Sequence, residues 1–303
     1  MSEMHGTVTH EAGAHEAGAR SPGGGRGALP LTPARRVALL IGVPVCLALT
    51  GFAGLNIAAL FGRGYIHFSH AFPASTKRLS VTASGGDIVL KQVTTGPARL
   101  SGSGYYSLIR PNLTESTSVG SAAFGYPCAL PIGDCGLSMT VDVPAGTAVT
   151  ISTGGGDLTA DHLAGDLTLG TDGGNIRAAD ATGDVTMTTG GGDVTADHVA
   201  GGHLTLGTDG GNIQATAVAD PRLAATSGGG DIEIVFTVVP RDVTVSTDGG
   251  NVTIVVPRGS TQYHVSASTE GGNVTDTIPD SASSTDEITA TSGGGDITIE
   301  QST

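Results

Sequence analysis

Apolar residues recur along the second half of the chain with a spacing of 18 to 20 positions. One column of such residues consists of Leu158, Ile176, Val194, Ile213, Ile232 and Val252. Four further columns, which begin at Ala160, Leu163, Leu167 and Leu169, keep the same register through at least four copies. Internal repetition of this kind is the signature of a stacked repeat fold, so the pattern indicates architecture before chemistry.

Within each copy the apolar residues alternate with Thr, Asp and Gly, as in Leu167-Thr168-Leu169. Alternation with a period of two predicts a strand with one buried face, and each copy holds two such strands. A two-stranded unit cannot bury its own apolar face, but stacking on similar neighbours gives each strand a partner at about 4.8 Å and builds a continuous narrow core. We therefore predict an all-β fold, a β-solenoid of two-stranded coils of about 18–20 residues over 79–303, with a less repetitive insertion at about 101–139.

Gly-Gly-Asp and Gly-Gly-Asn sequences mark one corner of each copy. A chain reversal requires positive φ angles, which glycine accepts freely and Asn or Asp tolerate. The residue three positions before a corner Asn is acidic, whereas the residue three positions before a corner Asp is Gly. This alternation keeps the carboxylates of adjacent coils apart, although the last copies blur it. The predicted corner ladder consists of Asp157, Asn175, Asp193, Asn212, Asp231, Asn251, Asn273 and Asp296.

The two kinds of corner leave a second coil length open. One coil of about 37 residues would place the two corner types on opposite edges of the solenoid. The five apolar columns share the shorter register, which favours the 18-residue coil.

An apolar segment of 26 residues, 37–62, contains no ionisable group except the thiol of Cys46. A helix of that length measures about 39 Å, enough to cross a hydrocarbon core of roughly 30 Å. We therefore predict a transmembrane helix in contact with the lipid bilayer, because the apolar core of the alternative, a cleaved signal peptide, is shorter. The distribution of arginines favours a cytoplasmic amino terminus and an extracytoplasmic carboxyl region in the cell membrane. Residues 1–36 are predicted to form a disordered cytoplasmic tail and 63–78 a juxtamembrane linker.

Two cysteines lie in the insertion, in the segment YPCALPIGDCGLS. In an oxidising compartment a disulfide between Cys128 and Cys135 is expected, while two free thiols or half of a metal site are the alternatives. The aromatic residues Tyr105, Tyr106 and Phe124 also lie in the insertion. They make it a candidate for specific contacts, or equally for a cap on the open end of the solenoid.

The chain has a formal net charge of −14. An acidic surface repels phosphate backbones, so we expect no nucleic-acid partner. His162 and His198 are expected two coils apart, which is too far for a shared zinc ion. The Gly-Gly-Asp corners lack the spacing of calcium-binding β-rolls and the Lys-Ser/Thr pair of a phosphate loop. The sequence therefore predicts no cofactor, no metal site and no catalytic residue.

The segment TGGGDLTADHLAGDLTLGTDGGNI at 153–176, with its near copy at 189–213, resembles the bacterial putative adhesin family. Members of that family are domains of unknown function built from Ser/Thr-Gly-Gly-Asp-Ile strand units behind a single membrane span. The resemblance extends over roughly 79–303. It implies a cell-surface β-solenoid without an established activity.

Three classes of function are compatible with these features. The first is a non-catalytic surface module that presents its acidic face to an envelope polymer or protein. The second is an envelope sensor or regulator that acts through the short cytoplasmic tail. The third, a β-helix enzyme acting on polysaccharides, is disfavoured because the acids are dispersed by the repeat and aromatic sugar platforms are scarce.

Overall fold

The computed structural model describes residues 38–61, 63–107, 110, 112–126 and 136–303. The predicted tail, 1–36, lies outside the described residues. The chain divides into two compact units, residues 1–52 and 53–303. A π-helical turn, Ala38–Gly42, is followed by helix α1, Val43–Phe61. Neither element, nor any other helix in the described ranges, is long and apolar enough to cross a membrane.

The described part of the second unit contains 23 strands. In chain order they are β1 (Arg63–Ala71), β2 (Arg78–Ala83), β3 (Asp87–Val93), β4 (Arg99–Ser107), β5 (Thr114–Ser118), β6 (Ser121–Tyr126), β7 (Gly136–Pro144), β8 (Ala148–Thr153), β9 (Leu158–Asp161), β10 (Leu167–Thr171), β11 (Ile176–Ala179), β12 (Val185–Thr189), β13 (Val194–Asp197), β14 (His203–Thr208), β15 (Ile213–Val218), β16 (Arg222–Ser227), β17 (Ile232–Phe236), β18 (Asp242–Thr247), β19 (Val252–Val256), β20 (His264–Thr269), β21 (Val274–Asp276), β22 (Glu287–Ser292) and β23 (Ile297–Gln301).

These strands form two mainly parallel sheets, which confirms the all-β prediction. Sheet A has the order β1-β4-β7-β3-β9-β11-β13-β15-β17-β19-β23-β21, and sheet B has the order β20-β22-β18-β16-β14-β12-β10-β8-β2-β6-β5. One coil is a strand of sheet B followed by a strand of sheet A, such as β10 and β11. Ile176 pairs with Leu158 on one side and with Val194 on the other, so one coil takes 18 residues and the 37-residue coil is wrong.

The core is the stack of apolar columns that the repeat predicts. The columns beginning at Leu158, Ala160, Leu167 and Leu169 are held by parallel pairing, and their members are almost fully buried. Leu163, Ala181 and Val199 fill the second corner, where they are also buried. Because alternate residues of the stacked strands point inward, except in the fully exposed β5 and β21, the described repeats share one continuous core.

Two coils lie out of sequence order in the stack. Strands β22 and β23 lie between the coil of β18 and β19 and the coil of β20 and β21. In the same way, β2 and β3 lie between the coil of β6 and β7 and the coil of β8 and β9. Near the carboxyl-terminal end of the stack, the later strands β22 and β23 therefore separate two earlier coils. Near the other end, the first coil, β2 and β3, lies between two later coils.

Residues predicted as linker and insertion contribute strands to the sheets. The segment 63–78 contains β1, which pairs antiparallel with β4 because Ile66 and Phe68 alternate with polar residues and pack inward. The insertion contains most of β4, all of β5 and β6, and the start of β7. Together β1, β4 and β5 cover the strand edges at this end of both sheets.

Candidate functional site

The Gly-rich corners form a single hydrogen-bonded ladder. The backbone N–H of Asn175 donates to Oδ1 of Asp157 at 2.8 Å, and the N–H of Asp193 donates to Oδ1 of Asn175 at 2.8 Å. The same bond joins every later step of the stack. We call these residues the Asx ladder; in spatial order they are Asp157, Asn175, Asp193, Asn212, Asp231, Asn251, Asp296 and Asn273. The N–H of Asp157 in turn donates to Oδ1 of Asp87 on β3 at 3.0 Å.

In space, Asp and Asn alternate without a break along these eight residues. The apparent irregularity of the last copies disappears because Asp296 lies between Asn251 and Asn273. The acids three positions before each Asn alternate with glycines in the same way. From Asp157 onward the edge therefore carries one exposed carboxylate per coil, in a zigzag, and acids at equivalent positions are separated by two coils, about 10 Å. Asp87 and Asp157, on adjacent coils, are the exception.

The expectation that these corners need positive φ angles was wrong for most of them. None of the eight ladder residues, all of which are described, has a positive φ. Their side chains instead act as acceptors for the neighbouring coil. The second glycine of the corner is required by close approach, because a Cβ at Gly192 or Gly211 would collide with the carbonyl group of the glycine one coil away.

Positive φ angles occur at the opposite corner. Gly183 and Gly201 have φ values of 122° and 134°, and the non-glycine residues His162, Asp180 and His198 have values of 56°, 51° and 52°. Asn, Asp and His are enriched among non-glycine residues in the left-handed region, which accounts for the polar ADH corner.

A ladder of buried hydroxyl groups lies beside the Asx ladder, and the sequence analysis missed it. Oγ1 of Thr189 donates to the carbonyl oxygen of Gly174 at 2.7 Å and accepts from the N–H of Gly192 at 3.2 Å. Equivalent bonds are made by Thr171, Thr208, Ser227, Thr247, Ser292 and Thr269. The recurring Ser or Thr four residues before the corner Asx was the available signal.

The corner histidines make pairwise contacts with acids. Nε2 of His162 lies 3.3 Å from Oδ2 of Asp180, and Nδ1 of His198 lies 3.0 Å from Oδ1 of Asp197. A hydrogen bond from Thr216, together with His198, lowers the pKa of Asp197. In the described ranges, no three His, Cys, Asp or Glu residues come close enough together to hold a metal ion.

Asp220 is a fully buried acid that the sequence analysis did not single out. Its Oδ1 accepts from the N–H of Gly202 at 2.6 Å, whereas its Oδ2 has no partner among the described residues. Burial raises the pKa of this carboxyl group, against the opposing effect of the backbone N–H donors. The side chain supports the second corner from inside the stack.

Two adjoining surface cavities lie near the insertion. A cavity of about 390 Å³ and a second of about 370 Å³ adjoin each other, because Ser116 and Ala123 line both. The floor is the outer face of β6, β2 and β8, and β5 forms one wall. We call this surface the β5 groove. The aromatic rings of Phe124 and Tyr126 stack with Phe68 inside this end, so part of the predicted aromatic cluster packs as a cap.

Cys128 and Cys135 lie outside the described residues, so their disulfide stays a prediction. The thiol of Cys46 is free and exposed.

Residues 136–303 match the model of the Toastrack DUF4097 family. No curated protein matches the chain.

Among solved structures, a putative adhesin from Bacteroides fragilis is 14% identical, with a TM-score of 0.44 and coverage of 79% of this chain and 97% of that one. A putative adhesin from Parabacteroides merdae is 12% identical, with a TM-score of 0.44 and coverage of 79% and 96%. A putative cell adhesion protein from Clostridium sporogenes is 10% identical, with a TM-score of 0.28 and coverage of 79% and 100%.

Proposed function

We propose that this chain, which belongs to the Toastrack DUF4097 family, is a non-catalytic, adhesin-like module that presents a repetitive acidic face to an envelope polymer or protein. The observation that carries the proposal is the zigzag of exposed carboxylates, one per coil, along the Asx ladder. Catalysis by acids and bases requires them within hydrogen-bond reach of one reacting centre. Carboxylates repeated at about 10 Å suit a repetitive binding surface instead.

Attachment to the membrane through 37–62 is part of the proposal. It is supported by the absence of charged side chains from this segment and by the exposure of Leu47, Leu49 and Phe52 in helix α1. Arginines before the segment favour an extracytoplasmic location for the repeats. Carbonate extraction of membranes, followed by protease treatment of intact cells, tests both points. Release of the full chain by carbonate, or protection of the repeats from protease, would contradict them.

Binding is tested with the immobilised full chain and fragments of bacterial envelope. The matched variant carries Asp157→Asn, Asp193→Asn and Asp231→Asn together, because Asn keeps the Oδ1 acceptor of the ladder and removes the charge. We expect the native chain to retain envelope material and the variant to retain several-fold less, with an unchanged unfolding midpoint. Equal retention by both would exclude the acidic face as the binding surface. If the native chain retains no envelope material, the proposed function is wrong.

A further inference from the structure

We propose that the β5 groove is a binding site for an extended, hydroxylated polymer that carries carboxylate or phosphate groups. The inference rests on the proposed function and locates a second, chemically distinct contact at the opposite end of the repeat domain from β20 and β21.

The groove crosses three neighbouring strands, which suits an extended chain. Its two adjoining cavities together follow the outer faces of three neighbouring strands. Ala123 and Ala148 on the floor have small side chains, which leaves the space above them open, whereas the side chain of Thr114 packs over Gly125. Hydroxyl groups line the rest, as at Ser80, Thr82 and Ser116, and these groups both donate and accept hydrogen bonds.

The wall of the groove is fixed at both ends. The carbonyl oxygen of Gly120, in the turn after β5, accepts from the N–H groups of Lys77 and Arg78 at 2.8 and 3.0 Å. Near the other end, Oε1 of Glu115 lies 2.8 Å from Nε2 of His70 on β1. A wall held in place before the ligand arrives reduces the ordering cost of binding.

Charge selects an anionic ligand for this surface. Residues 63–126 contain six Lys and Arg against two Asp and Glu, whereas 136–303 contain four against 22. The net charges are therefore +4 and −18, so an anion that is repelled along the repeats is attracted at this end. Arg78 lines the groove, and among the described residues no carboxylate lies within ion-pair distance of its guanidinium group. The acid in the lining, Glu115, contacts His70 instead.

The combination of groups defines the chemistry of the ligand. A guanidinium group binds carboxylate or phosphate through paired N–H donors, and the Ser and Thr hydroxyls match the hydroxyls of a sugar or polyol. A neutral glycan would rely on aromatic platforms, and the aromatic residues that line the groove, Phe124 and Tyr126, are buried in the cap.

Two positions in β16 provide matched controls. Parallel pairing through β2, β8, β10, β12, β14 and β16 places Arg222 in the same column as Arg78. The same pairing, extended to β6, places Ala224 in the column of Ala123. Both β16 residues lie five coils from β2, at about 24 Å, which is outside the groove.

The test measures binding of the full chain to polygalacturonate, to poly(glycerol phosphate) and to neutral dextran at low ionic strength. We expect binding of one or both anionic polymers and none of dextran, and the tighter of the two identifies carboxylate or phosphate as the recognised group. Arg78→Gln should weaken binding about tenfold, the loss of one charge-assisted contact. Ala123→Tyr should abolish it by filling the floor. Arg222→Gln and Ala224→Tyr should bind as the native chain does.

Each other outcome is decisive. If Arg78→Gln and Ala123→Tyr both bind the polymers as tightly as the native chain, and circular dichroism shows that both are folded, the groove is not the binding site. Binding of dextran as tightly as the anionic polymers would overturn the charge argument. If neither anionic polymer binds while envelope fragments are still retained, the groove is wrong and the acidic surface module stands. If nothing is retained in either assay, both are wrong.

Discussion

The backbone N–H of Asp296 donates to Oδ1 of Asn251 at 2.9 Å, across 45 residues of chain. The N–H of Asn273 in turn donates to Oδ1 of Asp296 at 2.8 Å. A sequential stack would place Asn273 on Asn251 and would bring the side chains of Asp248 and Glu270 together at about 5 Å. The observed order separates these two acids by Gly293, so corner chemistry favours the interleaved arrangement.

The interleaved order predicts which engineered cysteines can form a disulfide. Thr253 pairs with Thr298, and Thr298 pairs with Thr275, so Thr253 and Thr275 are two strands apart. In a background with the three native cysteines replaced by Ser, Thr253→Cys with Thr298→Cys should oxidise, because neighbouring Cα atoms lie within disulfide range. Thr253→Cys with Thr275→Cys should remain reduced. Non-reducing mass spectrometry of proteolytic fragments distinguishes the two, and a bond in the second pair alone would mean sequential stacking.

Adjacent glycines in one corner should respond oppositely to the same substitution. A Cβ at Gly230 would collide with the carbonyl group of Gly211, whereas a Cβ at Gly229 meets no atom within 4 Å. We expect Gly230→Ala to lower the free energy of unfolding by about 3 kcal/mol. Gly229→Ala should be neutral or stabilising by up to about 1 kcal/mol, because it reduces the entropy of the unfolded chain. Urea unfolding measures both, and similar losses would show that close approach is not the constraint.

The hydroxyl ladder should contribute to stability through two backbone groups at once. Thr189→Val keeps the shape of the side chain but leaves the carbonyl oxygen of Gly174 and the N–H of Gly192 without this partner. We expect a loss of about 2 kcal/mol in the free energy of unfolding. Thr189→Ser should recover most of it, and Thr188→Val, at the exposed neighbour, should have little effect. If Thr189→Val leaves the free energy of unfolding unchanged, the hydroxyl ladder does not contribute to stability.

The buried carboxyl group of Asp220 should make stability depend on pH. Burial raises its pKa in the folded state, so the protonated form is favoured by folding. Its contribution is present below the unfolded pKa, about 3.9, and is lost as the pH rises through the folded pKa. Asp220→Asn, which cannot ionise, should therefore gain stability relative to the native chain between pH 4 and pH 7.

Chemical unfolding at both pH values measures this change. Asp166→Asn is the control, because Asp166 is exposed and also accepts a backbone N–H, from Asp184 at 3.3 Å. A difference between Asp220→Asn and the native chain that is constant with pH would contradict the assignment.

Asp276 protects the uncovered end of the stack. It lies in the column of Ile254 and Ile299, where every earlier coil places an apolar residue, and it is exposed on the terminal strand β21. A charge pointing inward on an edge strand prevents edge-to-edge association. We expect Asp276→Ile to self-associate with increasing concentration, as measured by light scattering after size exclusion. Thr275→Ile, which adds the same side chain to the outer face, should remain like the native chain.

The sequence predicted which residues form the apolar columns, but it did not predict the order in which the coils stack. Leu158, Ile176 and Val194 align because their regular spacing reports the coil length directly. Val252 pairs with Ile297 rather than with Val274, and spacing alone ranks these two candidates the wrong way. The alternation of Asp and Asn did contain the information, because only the interleaved order continues it.

The candidate sites were less accessible to sequence reasoning for two physical reasons. The β5 groove requires β5 and β6, which belong to the insertion, and the insertion has no internal repeat to fix its register. Arg78 and Ser116 are brought together by pairing of β2 with β6 and of β6 with β5. Asp220 was not predicted as a buried acid, because its burial and its contact with the N–H of Gly202 join residues 18 positions apart in neighbouring coils.

The interleaving of β22 and β23 has a consequence for how the chain folds as it is synthesised. During emergence from a ribosome, β18 to β21 appear before β22 and β23. Coils that stack in the order of synthesis therefore cannot produce the observed end of the stack. The place between the coil of β18 and β19 and the coil of β20 and β21 must be left open, or be reopened, for β22 and β23. Completion of this end of the stack is a separate event that follows the arrival of residues 287–301.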